Sequence, residues 1–176
     1  MSKKRIYILV EDLFEDTELL YPYYRMQEAG YDVVTIGPDK GEEYRGKNGL
    51  TIISDISVSE ADIEDTAAII IPGGYAPDRL RRNRHIVELV KKAHKKCMVV
   101  AAICHGPWML AEAGIIRGRQ VTGFFSISTD LKNAGAEYVD REVVVDGNII
   151  TSREPGDLPA FCKNIIELIE VYSVKK

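Results

Sequence analysis

Cysteine and histidine are both scarce in this sequence, with three of each among 176 residues. They are Cys97, Cys104, Cys162, His85, His94 and His105. An odd, sparse set of cysteines does not make a disulfide framework. The spacings include neither a Cys-x-x-Cys pair nor a His-x-x-x-His pair, so no zinc site is expected. We interpret the cysteines as free thiols in a reducing compartment.

Long apolar runs and an excess of positive charge are also missing. The 23 basic and 27 acidic side chains give a net charge of −4, which offers no electrostatic footprint for nucleic acid or an anionic membrane. The apolar run Ile6 to Val10 is too short for a signal peptide and meets Glu11 and Asp12. Glycine-rich nucleotide-binding motifs are absent, so no cofactor is implied. We expect a cytoplasmic protein without nucleic acid or membrane partners.

What is present is a regular alternation of buried strands and amphipathic helices. With 45% hydrophobic residues, we expect a single domain over 1–176 and a doubly wound, mostly parallel α/β sheet with helices on both faces. The predicted strands are Ile6–Val10, Asp32–Ile36, Ala67–Ile71 and Met98–Ile103. The predicted helices are a segment that starts near Pro22 and ends at Gly30, Asn83–Lys95, His105–Ala113 and Asp157–Val174. A hairpin or meander is predicted within Gly41–Ile53, turning at Lys47-Asn48-Gly49, and a hairpin is predicted between Val143–Asp146 and Ile149–Ser152.

Three loops follow the carboxyl ends of predicted parallel strands: Glu11 to Glu18, Pro72 to Asp78, and the turn at Cys104. In sheets of this kind ligands bind beyond those ends. We therefore expect the functional residues at this edge.

Cys104 has the sequence context of a nucleophile elbow. A buried strand runs into it, Ala102 and Gly106 are small neighbours on either side, and Pro107 suits the first turn of a helix. The helix N-terminus should lower the pKa of the thiol, and the N–H of His105 should face a developing oxyanion. A free cysteine is usually a small core residue, and Cys97 and Cys162 keep that interpretation.

Several neighbours of Cys104 are candidates for supporting roles. A free backbone N–H in the turn Pro72-Gly73-Gly74 could be a second oxyanion donor. Glu15 and Glu18 either compensate the helix dipole or hold a carboxyl group against the thiol. His105 is the one well-placed histidine base, although adjacent side chains in a sharp turn usually diverge. Asp78 is either its orienting acid or a solvated loop residue.

At these residues the chain resembles the intracellular protease I (PfpI) family of the ThiJ/PfpI superfamily. The similarity covers nearly the whole chain, through Phe14–Pro22, Ile71–Asp78, Ala102–Pro107, Asn133–Ala136 and Val143–Arg153. It implies a flavodoxin-like fold of the class I glutamine-amidotransferase type. It also implies homo-oligomers, as dimers or larger assemblies.

The resemblance assigns roles to individual residues. It implies that Cys104 is the nucleophile, that the N–H groups of Gly74 and His105 form an oxyanion hole, and that Glu18 lies near the cysteine with Glu15 close by. The acid matching Asp78 reaches the histidine of a neighbouring subunit in the protease branch. Two departures stand out: Asp78 replaces a longer glutamate, and Phe124 replaces a tyrosine that many relatives carry.

Three functions are compatible with this sequence. The first is a cofactor-free cysteine enzyme of stress defence, which hydrolyses peptide or amide bonds or acts on 2-oxoaldehydes as a glyoxalase or deglycase. The second is a redox-sensing stress protein with an oxidisable Cys104. The third is an oligomeric chaperone, for which no residue argues specifically. The expected partners are small carbonyl compounds or peptides.

Overall fold

A computed structural model describes residues 4–174; residues 1–3 and 175–176 lie outside it. The strands are β1 (Arg5–Leu9), β2 (Asp32–Gly37), β3 (Glu43–Arg45), β4 (Thr51–Ile53), β5 (Ile56–Ser57), β6 (Thr66–Ile71), β7 (Val99–Ile103), β8 (Gln120–Val121), β9 (Glu137–Tyr138), β10 (Val143–Asp146) and β11 (Ile149–Ser152). The helices are α1 (Asp16–Glu28), α2 (Ala76–Leu80), α3 (Arg84–Lys95), α4 (Pro107–Glu112), α5 (Ser128–Asn133) and α6 (Leu158–Val174). Short 3-10 turns lie at Val58–Glu60, Phe125–Ile127 and Pro155–Asp157.

The central sheet has the strand order β10-β11-β7-β6-β1-β2-β5 and is parallel except for the β10–β11 hairpin at one edge. Its strand β7 is buried at every position, and β1 and β6 are buried nearly throughout. Such continuous apolar strands need cover on both faces. α1 and α6 pack together on the sheet, and α3 packs on β6 and β7 and against α4. The prediction of a doubly wound, flavodoxin-like α/β fold is confirmed.

Helix α1 differs from the sequence-based expectation. We predicted a start near Pro22, whereas the helix begins at Asp16 and Pro22 lies inside it. Proline in a helix interior removes one backbone hydrogen bond. Pro22 is nevertheless on the buried face, together with Leu19 and Met26, and that packing stabilises the helix through the proline. Because the helix begins at Asp16, Glu18 lies in its first turn, on the buried face.

Helix α4, by contrast, starts later than predicted. It begins at Pro107 and ends at Glu112, so His105 belongs to the turn that precedes it. Both predicted hairpins are confirmed, as β3–β4 and β10–β11.

The β3–β4 turn is attached to the start of α1. The carboxylate of Asp16 accepts hydrogen bonds from the N–H groups of Asn48 (2.9 Å) and Leu50 (2.8 Å). Gly46 lies against the same carboxylate, and a Cβ there would come within 2.5 Å of its Oδ2. The hairpin is therefore held at the edge of the sheet where the predicted functional loops lie.

Within residues 4–174, three non-glycine residues have a left-handed backbone: Leu13 (φ 66°), Cys97 (φ 57°) and Cys104 (φ 62°). Leu13 and Cys104 follow β1 and β7 at the functional edge. Cys97 instead ends helix α3, where its N–H donates to the carbonyl of His94 at 3.0 Å and the N–H of Met98 donates to Ala93 at 3.1 Å. This is the Schellman arrangement, whose left-handed position is usually glycine.

The strain at Cys97 generates a stability prediction. Cys97→Gly should raise the free energy of unfolding by about 0.5–1 kcal/mol, because glycine adopts this conformation without the Cβ clash but is more flexible when unfolded. Urea unfolding of both proteins measures the difference.

The matched control is the reverse change at a second helix end. Gly114 (φ 68°) ends α4 with the same pattern, its N–H donating to Ala111 and that of Ile115 donating to Leu110. A Cβ at Gly114 would meet nothing within 4 Å. Gly114→Ala should therefore destabilise through backbone conformation alone, by about 1 kcal/mol. A destabilised Cys97→Gly protein would contradict the assignment of strain.

Candidate active site

Cys104 lies in a tight turn between β7 and α4. The turn is held on two sides, because the Cys104 N–H donates to the carbonyl of Ser152 (3.0 Å) and its carbonyl accepts from the N–H of Phe124 (2.9 Å). Gly106 completes the turn, where a Cβ would come within 2.6 Å of the carbonyl oxygen of Ile71. The structure thus shows the elbow geometry that the sequence predicted.

Two backbone N–H groups point at the sulfur of Cys104. They belong to Gly74 and His105, and both donate hydrogen bonds to it. Gly74 has φ 74°, and a Cβ there would lie 2.4 Å from the carbonyl oxygen of Leu13. Gly74 also pairs with Phe14 in a β-bridge that joins the loops after β1 and β6. Only glycine fits at position 74, because a larger residue would clash with the loop after β1.

Glu18 places a carboxyl group beside the thiol. Its side chain is fully buried, its Oε2 accepts the N–H of Gly73 at 2.7 Å, and the carboxyl group hydrogen-bonds Cys104. The other oxygen, Oε1, is buried and has no hydrogen-bond partner among residues 4–174. A Cβ on Gly73 would come within 2.5 Å of Oε2 and 2.6 Å of the Cβ of Cys104. Gly73 therefore makes room for the contact between carboxyl and thiol.

Burial changes the ionisation of both groups. Burial raises the pKa of Glu18 to about 7, and the N–H of Gly73 opposes this rise. The pKa of the Cys104 thiol is raised to about 12, first by burial and then by the negative charge of Glu18, against the two N–H donors. Our prediction of a lowered thiol pKa is therefore wrong. Helix α4 is only six residues long and begins three residues after the sulfur, and its field does not outweigh desolvation and a carboxylate.

The two groups titrate as one unit. Below about pH 7 both are protonated, and above it the pair has lost one proton. That single negative charge resides either on the carboxylate or on the sulfur. When it is on the sulfur, the protonated Glu18 can donate to it instead of repelling it.

His105 contacts the thiol directly. Its Nδ1 lies 3.2 Å from the Sγ of Cys104, and its Nε2 lies 3.3 Å from the hydroxyl of Ser126. The ring stacks on Phe124 at a centroid distance of 5.2 Å and meets the edge of Trp108 at 5.1 Å. The pKa of His105 is lowered, first by burial and then by the charge of Lys47, so the imidazole stays neutral near pH 7. A neutral imidazole can accept a proton from the thiol.

Asp78 and Glu15 lie at the rim rather than at the sulfur. Asp78 forms ion pairs with Arg81 (3.2 Å) and Arg82, and the hydrogen bond from Arg82 chiefly lowers its pKa. Among residues 4–174 it does not contact His105. Its predicted contact with the histidine of a neighbouring subunit stays a prediction. The carboxylate of Glu15 is bound by Lys47, not by the thiol.

Sequence reasoning missed Lys47 and Ser126. Lys47 pairs with Glu15 at 2.9 Å, lies 5.6 Å from the ring centre of Tyr75, and interacts electrostatically with Cys104. The sequence Lys47-Asn48-Gly49 predicts only a turn there. Ser126 is a serine in an apolar loop, and no sequence signal distinguishes it from other surface serines. Both reach the site through tertiary packing.

Within residues 4–174, no three His, Cys, Asp or Glu side chains are grouped to hold a metal ion. None of the helices in this range is both long and apolar enough for a bilayer crossing.

Comparison with known proteins places this arrangement in a family. The profile of the DJ-1/PfpI family matches residues 4–168. The chain belongs to the DJ-1/PfpI family. A DJ-1/PfpI relative from Pyrococcus abyssi, named a deglycase, is 43% identical over 166 residues, which cover 94% of this chain and 99% of that protein. Protein/nucleic acid deglycase 2 of Escherichia coli is 42% identical over 171 residues, covering 96% of this chain and 99% of that protein.

A solved DJ-1/PfpI structure gives the same fold. It is a two-domain protein from Anabaena variabilis with DJ-1/ThiJ/PfpI-like and ferritin-like domains, at a TM-score of 0.92 and 47% identity. The match covers 94% of this chain and 48% of that protein, so this chain spans about half of its length. The resemblance that the sequence motifs indicated is confirmed.

The buried carboxyl group predicts an unusual pH dependence of stability. The folded-state pKa of Glu18 is raised from 4.5 to about 7. Its contribution to the free energy of unfolding is therefore fully present below pH 4.5 and is lost as the pH rises through 7. Glu18→Gln keeps the acceptor for Gly73 without the charge. It should stabilise the protein by up to about 3 kcal/mol near pH 8.5 and by almost nothing near pH 4.5.

Denaturant unfolding of both proteins at the two pH values measures this gain. Glu112→Gln, which makes the same charge change at an exposed position, is the control and should show no comparable gain. Equal stability of Glu18→Gln and wild type at high pH would contradict the buried, destabilising carboxylate.

Proposed function

We propose that this chain is a cofactor-free cysteine enzyme in which the sulfur of Cys104 adds to an electrophilic carbonyl carbon. One observation supports this most strongly. The sulfur faces the N–H groups of Gly74 and His105, the Glu18 carboxyl hydrogen-bonds it, and the Nδ1 of His105 lies 3.2 Å from it. An ordinary core cysteine has no need of two N–H donors and two titratable partners.

With a 2-oxoaldehyde such as methylglyoxal, each step balances with water alone. The thiolate adds to the aldehyde carbon, a C–S bond forms, and the oxygen takes a proton to give a hemithioacetal. A base, Glu18 or His105, then removes the proton on that carbon, and the neighbouring carbon is protonated in turn. The resulting thioester is cleaved by water to a 2-hydroxy acid and the free thiol. One carbon is oxidised and its neighbour reduced, so no external oxidant is needed.

With a peptide or amide, the same residues support acyl transfer. The thiolate adds to the carbonyl carbon, the oxyanion forms, and the amine leaves with a proton from His105. Water then releases the acid from the acyl-enzyme. Two relatives that are named deglycases support carbonyl adducts as the first substrate class to test. We therefore place small carbonyl compounds and their adducts with amines ahead of peptides.

The cellular location and the oligomeric state of the protein are part of the same proposal. We infer a cytoplasmic, homo-oligomeric protein, since a free catalytic thiol functions in a reducing compartment. Exposed apolar side chains on α1, those of Leu20, Tyr21 and Tyr24, are compatible with a subunit interface. Sedimentation velocity distinguishes a monomer from a larger assembly.

Redox sensing is the competing function for the same thiol. Cys104 is only 8% exposed and its pKa is raised, whereas Cys97 is exposed. A sensor requires that mild peroxide modify Cys104 before Cys97 and Cys162, as seen by mass spectrometry. A pure protein that turns over methylglyoxal without glutathione, and loses this activity in Cys104→Ala, supports the enzyme.

The shared proton of Cys104 and Glu18 predicts the pH profile of the reaction. Below about pH 7 most pairs hold both protons and the thiolate is scarce, so the alkylation rate and kcat/KM should rise about tenfold per pH unit up to 7. Iodoacetamide modification of Cys104, followed by mass spectrometry, and methylglyoxal consumption measure the two rates. In Glu18→Gln the levelling-off of the profile near pH 7 should disappear, and the rate should continue to rise above pH 7 because only the thiol itself then titrates.

Glu112→Gln is again the matched control and should keep the wild-type profile. Cys104→Ala sets the background of both assays. If Glu18→Gln retains the wild-type profile, Glu18 does not share the proton. If no tested carbonyl or amide substrate is turned over by the wild type, the proposed function is wrong.

A further inference from the structure

A cavity of about 590 Å³ lies beside the proposed active site, between the β3–β4 turn and the segments that follow β1 and β6. Its charged lining residues are Asp12, Arg45, Lys47 and Arg79. Three of these four carry a positive charge, in a protein whose net charge is −4. The mechanism above makes no use of Arg45 or Arg79.

The two arginines retain uncompensated charge. Lys47 is paired with Glu15, and Asp12 accepts a hydrogen bond at 2.9 Å from the backbone N–H of Arg45. Within residues 4–174, the guanidinium groups of Arg45 and Arg79 form no ion pair with a carboxylate. Two guanidinium groups without a carboxylate partner, in a concave site, suit an incoming anion.

The cavity has a fixed backbone frame. The N–H of Leu13 donates to the carbonyl of Arg45 (2.7 Å), and the N–H of Lys47 donates to the carbonyl of Phe14 (2.9 Å). These hydrogen bonds hold the hairpin against the loop after β1. A Cβ on Gly49 would come 3.9 Å from the Nη2 of Arg45, which shows that the guanidinium lies over the turn. The exposed guanidinium of Arg45 is therefore at the cavity.

The same frame joins the cavity to the thiol. The carbonyl of Leu13, a cavity residue, accepts the N–H of Tyr75 at 2.8 Å, and Tyr75 follows the oxyanion-hole residue Gly74. Arg79 is four residues further along, in α2. The short segment from Gly74 to Arg79 thus carries both an N–H donor to the Cys104 sulfur and an arginine of the cavity.

We propose that this cavity binds the anionic group, a phosphate or a carboxylate, of a small carbonyl substrate whose carbonyl carbon reacts at Cys104. The substrate assignment rests on the proposed function, whereas the anion site does not. Arg45 and Arg79 bind the anion through charge-assisted hydrogen bonds, and Lys47 adds positive charge between the anion and the thiol. The preferred substrates are therefore anionic carbonyl compounds rather than neutral ones of the same size.

Binding is tested first without chemistry, in the Cys104→Ala protein. Glycerol 3-phosphate, glycerate and glycerol supply a phosphate, a carboxylate and a neutral probe for isothermal titration calorimetry. One or both anions should bind, the stronger of them identifying the group, and glycerol should not. Arg45→Gln and Arg79→Gln should each weaken that binding at least tenfold. Arg117→Gln, which removes an exposed arginine that packs against Gly135, should not.

Kinetics then connects the cavity to the thiol. The anion that binds should inhibit methylglyoxal consumption competitively, with an inhibition constant that rises at least tenfold in Arg79→Gln. Absence of anion binding, binding by Arg45→Gln and Arg79→Gln that is as strong as binding by the parent protein, or binding without competition overturns the proposal. Anion binding that depends on the arginines in a protein without carbonyl turnover would instead reject the proposed function and leave the anion site standing.

Discussion

The contact between the Glu18 carboxyl and the Cys104 thiol determines most of what surrounds it. Two acidic groups share one buried space, and only one of them is charged at a time. Room for the pair exists because Gly73 lacks a side chain, and the charge is tolerated because N–H groups of Gly73, Gly74 and His105 point at it. The site is therefore a backbone cradle for one negative charge whose position can change.

The fold supplies that cradle from three strand ends. β1 leads to α1 and Glu18, β6 leads to the two glycines, and β7 leads to Cys104. Parallel strands bring these ends to one edge, and the buried strands hold them there with little freedom. The left-handed backbone at Cys104 is kept by hydrogen bonds to Ser152 and Phe124. A strained turn of this kind persists only where its surroundings hold it on more than one side.

The sequence allowed the sheet, both hairpins and the elbow to be predicted, because those features depend on local patterns such as apolar runs and turn residues. The sign of the thiol pKa was predicted wrongly, since it depends on burial and on a carboxylate 86 positions away along the chain. The pairing of Glu15 with Lys47 and of His105 with Ser126 lacks a sequence signature for the same reason. Resemblance identified Glu18 as a neighbour of the cysteine, but only the structure shows that its second oxygen is buried without a hydrogen-bond partner among residues 4–174.

The same loss of a proton has opposite effects on stability and on reactivity. Ionising the buried pair provides the nucleophile and at the same time opposes folding, because a buried charge is poorly solvated. A neutral residue at position 18 would remove this penalty together with the proton acceptor. The retention of a buried acid against the thiol is therefore difficult to explain by packing alone, and it is explained if the protein must ionise that thiol near neutral pH. Lys47 contributes to this balance from the rim, where its charge lowers the pKa of Glu18 without occupying the space at the sulfur.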